Sequence, residues 1–398
     1  MKVLVTDGGN RAALAITRSL GRAGHTVVVG EKETPSLAQT SRYCSDRLVY
    51  PDPVTRSDEF VAFLASAVKA RAIDVLLPVS DITTFLVTEN RDCFDRRCAI
   101  PFASAEIVQR AANKVDLMQT AMRIGVPVPR TMIVCDADSI PRPEFPYPVV
   151  IKPWKSRVRT PAGWVSTAVG YADSFDNLVR ELKRRPKHEF PVMLQERIAG
   201  PGVGVFACYQ EGRAVALFSH RRLRERPPWG GVSVLSESVP LPPLASDYAT
   251  RLLDEIGWHG VAMVEFKQDA RDDVPKLMEI NGRFWGSLQL AIDAGVDFPR
   301  VLVEMTRSER VQRQAPYRVG VRSRWLWGDV DSLLVTLFGG QRVAALGGQS
   351  RWGAIREFVK FWQPDLRYEN PSLRDLRPWF FETYAWFRTA ARDAVRRS

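Results

Sequence analysis

Glu279, Asn281 and Arg283 recur at every second position of "KLMEINGRFWGS", residues 276–287. On a strand that spacing puts an acid, an amide and a guanidinium on one face. Leu277 is expected on the same side, with Met278 and Ile280 on the other. A solvated edge strand would give this pattern, and so would a site for a metal ion and a phosphate. In "VAMVEFKQD", Glu265 and Lys267 share a face while Ala262, Val264 and Phe266 take the other. If the two segments form a hairpin, Glu265 and Glu279 lie side by side. Carboxylates that close repel, and one takes up a proton unless a cation intervenes. A hard divalent ion such as Mg²⁺, or Mn²⁺, resolves the conflict. Asn281 adds a neutral oxygen, and Mg²⁺ uses few protein ligands beside phosphate oxygens. Arg283 suits the phosphate through its planar fork. Lys152, pinned at a strand end by Pro153, and Lys114, opening a helix, are further cations for it.

The elements that must position these residues are legible as periodicities. "KVLVTDGG", "RAALAITRSLGRAG" and "HTVVVGE" read as strand, helix and strand, with Gly21 and Gly24 closing the helix. A β-α-β opening implies a parallel sheet with helices on its faces. "AIDVLLPVSD" repeats the pattern, and Ser80 and Asp81 at the strand exit are suited to capping the next helix. "NKVDLMQTAMRIG" reads as a helix, "CDADSIPRPEFPYP" as loop and "PVVIKPW" as a strand. After the amphipathic "SFDNLVRELKRR" come mostly strands: "PVMLQERI", "VGVFACYQEGRAVALFSHRRL", "GVSVLSESV", "GVAMVEFKQD" and "PKLMEINGR". The turn at "GRAV" marks a hairpin. The fold class is therefore α/β at the start and α+β in the middle, with a boundary near Ala112–Asn113.

The chain has 398 residues, enough for roughly two to four structural units. Its net charge of +11 suits anionic ligands without choosing among nucleotides, nucleic acid and lipid. The five cysteines are scattered, none in a C-x-x-C, which argues against a disulfide framework or a zinc site. "MKVLVTDGG" runs straight into a strand and no apolar run is long enough to span a bilayer, so a cytoplasmic context is expected.

Taken in order, Lys114, "VVIKP" with Lys152, "LQERIAGPGVGV" with Gln195 and Glu196, "VEFKQD" with Glu265, and "LMEINGR" resemble the ATP-grasp superfamily. Within it the chain looks most like the carboxylate–amine ligases related to the carbamoyl-phosphate synthase large chain. The resemblance runs from Met1 to about Thr306. It implies a pre-ATP-grasp α/β domain over 1–112, a small ATP-grasp subdomain over 113–190 and a large one with the metal site over 191–309. Residues 310–398 would form a Trp/Arg-rich, mostly helical C-terminal extension. It also implies roles. Lys114 and Lys152 bind ATP phosphates. The hinge from Gln195 through Glu196 to Ile198 holds adenine through main-chain groups. Glu265, Glu279 and Asn281 hold Mg²⁺, and Arg283, with Lys152, serves phosphoryl transfer. A substrate carboxylate becomes an acyl phosphate, which an amine captures as an amide.

Two stretches depart from the family pattern. Where a glycine-rich loop often covers the phosphates, "WKSRVRTPAGW" offers Gly163 and the cations Lys155, Arg157 and Arg159. The hinge is followed by Gly200, Gly202 and Gly204, where relatives commonly place an acid, so no ribose ligand is assigned. "SHRRLRERPPWGGVSVLSESV" crowds Arg221, Arg222, Arg224 and Arg226 beside Gly230-Gly231. It reads either as a solvated hairpin or as an anion clamp, with Ser233 and Glu237 on the substrate. "VTDGGNRAAL" lacks G-x-G-x-x-G, so Gly8 and Gly9 are expected to shape the cleft rim rather than bind a dinucleotide.

The Trp/Arg-rich end admits a helical cap on the core, a partner surface or an interfacial membrane helix. The expected partners are a small carboxylate and an amine, not nucleic acid, with a homodimer left open. Competing readings are an ATP-dependent carboxylase or carboxylate kinase on the same fold, and a nucleotide-binding regulatory or nucleic-acid-binding protein.

Overall fold

The computed structural model describes residues 1–228, 231–308, 310–312, 315–338 and 350–397, without the side chains of 393–397. Gly230, half of the Gly-Gly pair above, lies outside the described residues.

The chain opens with β1 (Lys2–Val5), α1 (Arg11–Arg22), β2 (Thr26–Glu31), β3 (Asp46–Val49), α2 (Ser57–Ala70), β4 (Val75–Leu77) and α3 (Asp81–Glu89). The strands form a parallel sheet in the order β3-β2-β1-β4. Val3, Leu4, Val27, Val28, Leu76 and Leu77 are fully buried, as expected where helices cover both faces. Ser80 caps α3 in a capping box with Thr83, as its place at the strand exit predicts.

Next come α4 (Ala105–Ala112), α5 (Lys114–Arg123), β5 (Thr131–Val134), β6 (Val149–Pro153), β7 (Arg157–Thr160), β8 (Gly163–Ser166), β9 (Gly170–Ala172), α6 (Phe175–Arg184) and β10 (Val192–Glu196). A small antiparallel sheet of order β5-β10-β6-β9 packs on α6 through its own core around Leu178, Leu182, Ile151 and Leu194. β7 and β8 make a separate hairpin.

The largest sheet is built from β11 (Gly202–Gln210), β12 (Arg213–Arg226), β13 (Val232–Ser238), β14 (Gly260–Gln268) and β15 (Pro275–Asn281), with α7 (Pro243–Glu255) between β13 and β14. The turn from β11 to β12 uses Glu211 and Gly212, both at positive φ, which suits a tight hairpin. After α8 (Leu288–Ala294) and α9 (Phe298–Met305), β16 (Arg322–Arg324) and β17 (Leu366–Tyr368) join the same sheet. Its order is β15-β14-β11-β12-β13-β16-β17. The C-terminal region thus supplies strands as well as α10 (Leu326–Phe338), α11 (Arg351–Phe358) and α12 (Arg377–Arg397).

That region is tied back to the first helix. Arg18 is buried and bonds Asp375 at 2.8 Å together with the carbonyls of Glu369 and Asn370. Arg11 pairs with Glu369 and lies 3.9 Å from the ring centre of Trp325. In α12 the aromatics divide: Trp386 stacks on Trp327 at 4.5 Å, while Phe380, Tyr384 and Phe387 are exposed. Among the described residues no helix is long and apolar enough to cross a membrane. All five cysteines are free thiols.

Candidate active site

β14 and β15 pair antiparallel with Glu265 directly opposite Glu279. The hairpin read from the sequence therefore brings the two acids together. One detail differs. The register shifts between Glu265 and Phe266, so Phe266 faces Leu277 and Met278 is the extra residue of a β-bulge. Leu277 is fully buried in the core instead of sharing a face with Glu279. Met278 lies beside Lys152, its sulfur 3.6 Å from Nζ. Strict alternation fails here because a bulge adds a residue to one strand only.

Each acid already meets a cation. Arg222 Nη2 donates to Glu265 Oε1 at 2.9 Å. Lys114 Nζ lies 3.3 Å from Glu279 Oε2, and Asn281 Nδ2 donates to Glu279 Oε1 at 3.1 Å. Burial pushes the Glu265 carboxyl up against the pull of Arg222. Burial acts the same way on Glu279, but Lys114, Asn281 and Lys152 outweigh it and hold that carboxyl low. Lys114 is fixed by its place at the start of α5. Its backbone N–H donates to the Trp154 carbonyl at 2.8 Å and its Nζ to Ser156 at 2.7 Å. Lys152 is lowered to about 8 by burial, despite the carboxylates of Glu279 and Glu265.

Arg283 is braced on three sides. Its Nε donates to Asp81 at 2.8 Å, Nη1 to the Phe284 carbonyl at 2.9 Å and Nη2 to Asn281 Oδ1 at 3.2 Å. Asp81 thus has a second role beyond the helix start, one that its strand-exit position alone does not reveal. Asp7 supports it from behind, accepting from the backbone of Val79 and Ser80 and from Thr83 Oγ1 at 2.6 Å.

Asp81, Glu265, Glu279, Asn281 and Arg283 line a cleft of about 490 Å³ together with Asn10, Arg11, Arg157, Arg222 and Ser233. His220 is buried at its wall. Its Nε2 lies 2.8 Å from Ser287 Oγ, and burial lowers it to about 3, so it is neutral. Nothing in the spacing around His220 marks it as a site residue, because an isolated histidine on a strand carries no functional signal of its own.

The remaining site candidates are spread. Gln195 donates to Thr131 Oγ1 at 2.9 Å. The Glu196 carboxylate accepts from Arg130 N at 3.0 Å, Arg130 Nε at 3.1 Å and Arg271 Nη1 at 3.1 Å, so its side chain is fully engaged. Ile198 is buried and its carbonyl accepts from Lys267 at 3.4 Å. Of the cations after Lys152, Arg157 reaches the cleft, while Lys155 bonds Gln109 and Arg159 pairs with Asp58. The arginine run on β12 also splits. Arg222 and Ser233 face the cleft. Arg221 pairs with Glu237, and Arg224 holds Asp329 at 2.6 Å, both outside it.

The fold around this cleft is ATP-grasp, as the sequence resemblance implies. Residues 188–328 match the family described as ATP-grasp in the biosynthetic pathway with Ter operon. The structure is similar to an L-amino acid ligase from Bacillus licheniformis at 12% identity and TM-score 0.61, covering 78% of this chain and 75% of that one. It is also similar to an N5-carboxyaminoimidazole synthetase from Staphylococcus aureus, at 13% identity and TM-score 0.61 over 85% of each chain. A biotin carboxylase from Campylobacter jejuni, solved as a β,γ-ATP complex, gives TM-score 0.60 at 15% identity, over 81% of this chain and 74% of that one. No curated protein matches the sequence.

Proposed function

We propose that this protein is an ATP- and Mg²⁺-dependent ligase that activates a carboxylate as an acyl phosphate and couples it to an amine. The observation that carries the reading is the opposed pair Glu265 and Glu279, with Asn281 and Arg283 beside them in one cleft. The donor set fits magnesium: two carboxylates and an amide oxygen, all hard, and few enough to leave room for phosphate oxygens. Arg222 and Lys114 sit where that charge is otherwise missing. When bound, the ion neutralises the triphosphate and its developing charge.

The chain's own residues do the rest by position and charge. Lys114, 3.3 Å from Glu279, and Lys152, beside Met278, provide ammonium groups for the α- and β-phosphates. The Gln195–Ile198 hinge receives adenine through its main chain. Arg283, fixed by Asp81 and Asn281, presents its fork to the transferring phosphoryl group. A substrate carboxylate oxygen attacks the γ-phosphorus and ADP leaves. The amine nitrogen then attacks the acyl carbon, inorganic phosphate leaves, and the nitrogen loses a proton. Arg222 and Ser233 line the cleft wall, which supports assigning them to the substrates.

The test is a screen of amino acids and small acids, in pairs, for stimulated ADP release with product mass measured. Amide product without any bicarbonate requirement supports ligation. Turnover that depends on bicarbonate, or that stops at the acyl phosphate with amines present, overturns it.

A further inference from the structure

A second cavity, of about 350 Å³, lies between the sheet and the C-terminal helices. Arg224, Arg322, Arg324 and Lys360 line it, and among the described residues Glu357 is the one carboxylate on its wall. Its wall includes the irregularly paired stretch of β12 between Arg222 and Glu225. Leu223 and Arg224 both turn into this cavity, while Arg222 stays in the active-site cleft.

Its arginines are short of countercharge, whereas Lys360 pairs with Glu357 at 2.6 Å. Asp329 is shared by Arg224 and Arg324, at 2.6 Å from each. Glu237 is shared in the same way by Arg322 and Arg221. Arg324 is fully buried, yet its Nη1 has no hydrogen-bond acceptor among the described residues. Its other bonds go to Asp329 and to the Phe358 carbonyl at 2.8 Å. The rings of Phe358 and Phe361 flank its guanidinium at 4.6 and 4.8 Å, but a shared carboxylate leaves the buried charge incompletely paired, which is costly unless another anion completes it.

We propose that this cavity binds a phosphate monoester. Guanidinium groups match phosphoryl oxygens, although Arg224 gives two of its donors to Asp329 and Arg322 gives two to Glu237 and Gln363. Leu223, Leu235 and Leu366 on the wall give the organic part an apolar surface. Arg322 and Lys360, half exposed at 37% and 45%, form the mouth. The site is separate from the cleft and does not depend on the ligase reading.

Phenyl phosphate titrated calorimetrically into the full chain tests this. Saturable binding at one site is expected, weakened at least about tenfold in Arg322→Ala/Lys360→Ala, which removes two charged donors. Binding is expected to be unchanged in Arg222→Ala, because that side chain lines the cleft and not this cavity. Lys360→Glu, at an exposed position, gives a second reading should the double variant fold poorly. No saturable binding, or a loss confined to Arg222→Ala, overturns the site. Inorganic phosphate bound as tightly as phenyl phosphate overturns the organic part, and succinate bound as tightly overturns the phosphoryl assignment.

Discussion

Glu265 and Glu279 face one another across neighbouring strands, and each is held by a cation from a different part of the chain. Arg222 comes from β12, the strand that also shapes the second cavity. Lys114 comes from the start of α5, pinned to the exit of β6. Burial lifts Glu265 while Lys114 and its neighbours hold Glu279 down. The pair is therefore asymmetric, with Glu279 the more firmly ionised, which under the proposed function makes it the better first ligand for Mg²⁺.

Glu279→Gln should abolish ADP release. The amide keeps the size of the side chain and removes its charge, leaving Lys114 and Lys152 without their nearest carboxylate. A fall in kcat of at least about 10² is expected, the scale of losing one group aimed at transition-state charge. The far-UV circular dichroism should be unchanged. Full turnover would contradict the metal assignment.

Lys152 sets a pH limit with two opposite signs. Burial lowers its ammonium to about 8, so kcat/KM for ATP should fall as pH rises through that value and the charge is lost. The unfolded chain keeps the proton up to the ordinary lysine range, so between about 8 and 10.4 it binds more protons than the folded chain. This group's contribution to stability therefore rises with pH over the window in which activity falls. In Lys152→Met both trends should vanish. A pH profile of kcat/KM beside thermal midpoints across that range measures them together.

Much of this site was legible because strands alternate. The period-two pattern around Glu265 and Glu279 predicted their meeting, and the β-α-β opening predicted the parallel sheet. What alternation cannot show is a change of register. The bulge at Met278 moved Leu277 into the core, and the irregular pairing of β12 sent Arg222 and Arg224 to different cavities. Nor can it show contacts between distant segments. Asp81 and Arg283 meet at 2.8 Å across 202 residues of sequence, and Arg11 meets Glu369 across 358. Charged side chains that read as solvated one at a time become a network only when the fold closes.

Gly282 is fixed by a neighbour rather than by backbone freedom. A Cβ there would lie 2.5 Å from Cη2 of Trp258, which is fully buried. Gly282→Ala must therefore displace the strand end that carries Asn281 and Arg283. Overpacking of this kind costs about 1–3 kcal/mol, and turnover should fall with it. Gly202→Ala, with nothing within 4 Å of the new methyl, should change stability by no more than about 0.5 kcal/mol. Urea midpoints of both variants, beside their rates of ADP release, make the comparison.

Arg283→Lys separates binding from chemistry. The native guanidinium uses three donors at once, on Asp81, the Phe284 carbonyl and Asn281. A lysine ammonium keeps the charge but cannot span those acceptors and also face a phosphoryl group, because it is a point donor on a flexible stem. The long-range attraction for ATP survives, so KM for ATP should change by less than about threefold. The directed contact made in the transition state is lost, so kcat should fall on the order of 10². Asp81→Asn leaves the guanidinium but removes the charge that orients it, so kcat should fall by a smaller factor with KM again little changed. Steady-state kinetics of the two variants decide the matter. A rise in KM for ATP with kcat unchanged would mean that Arg283 anchors the nucleotide and takes no part in the transfer.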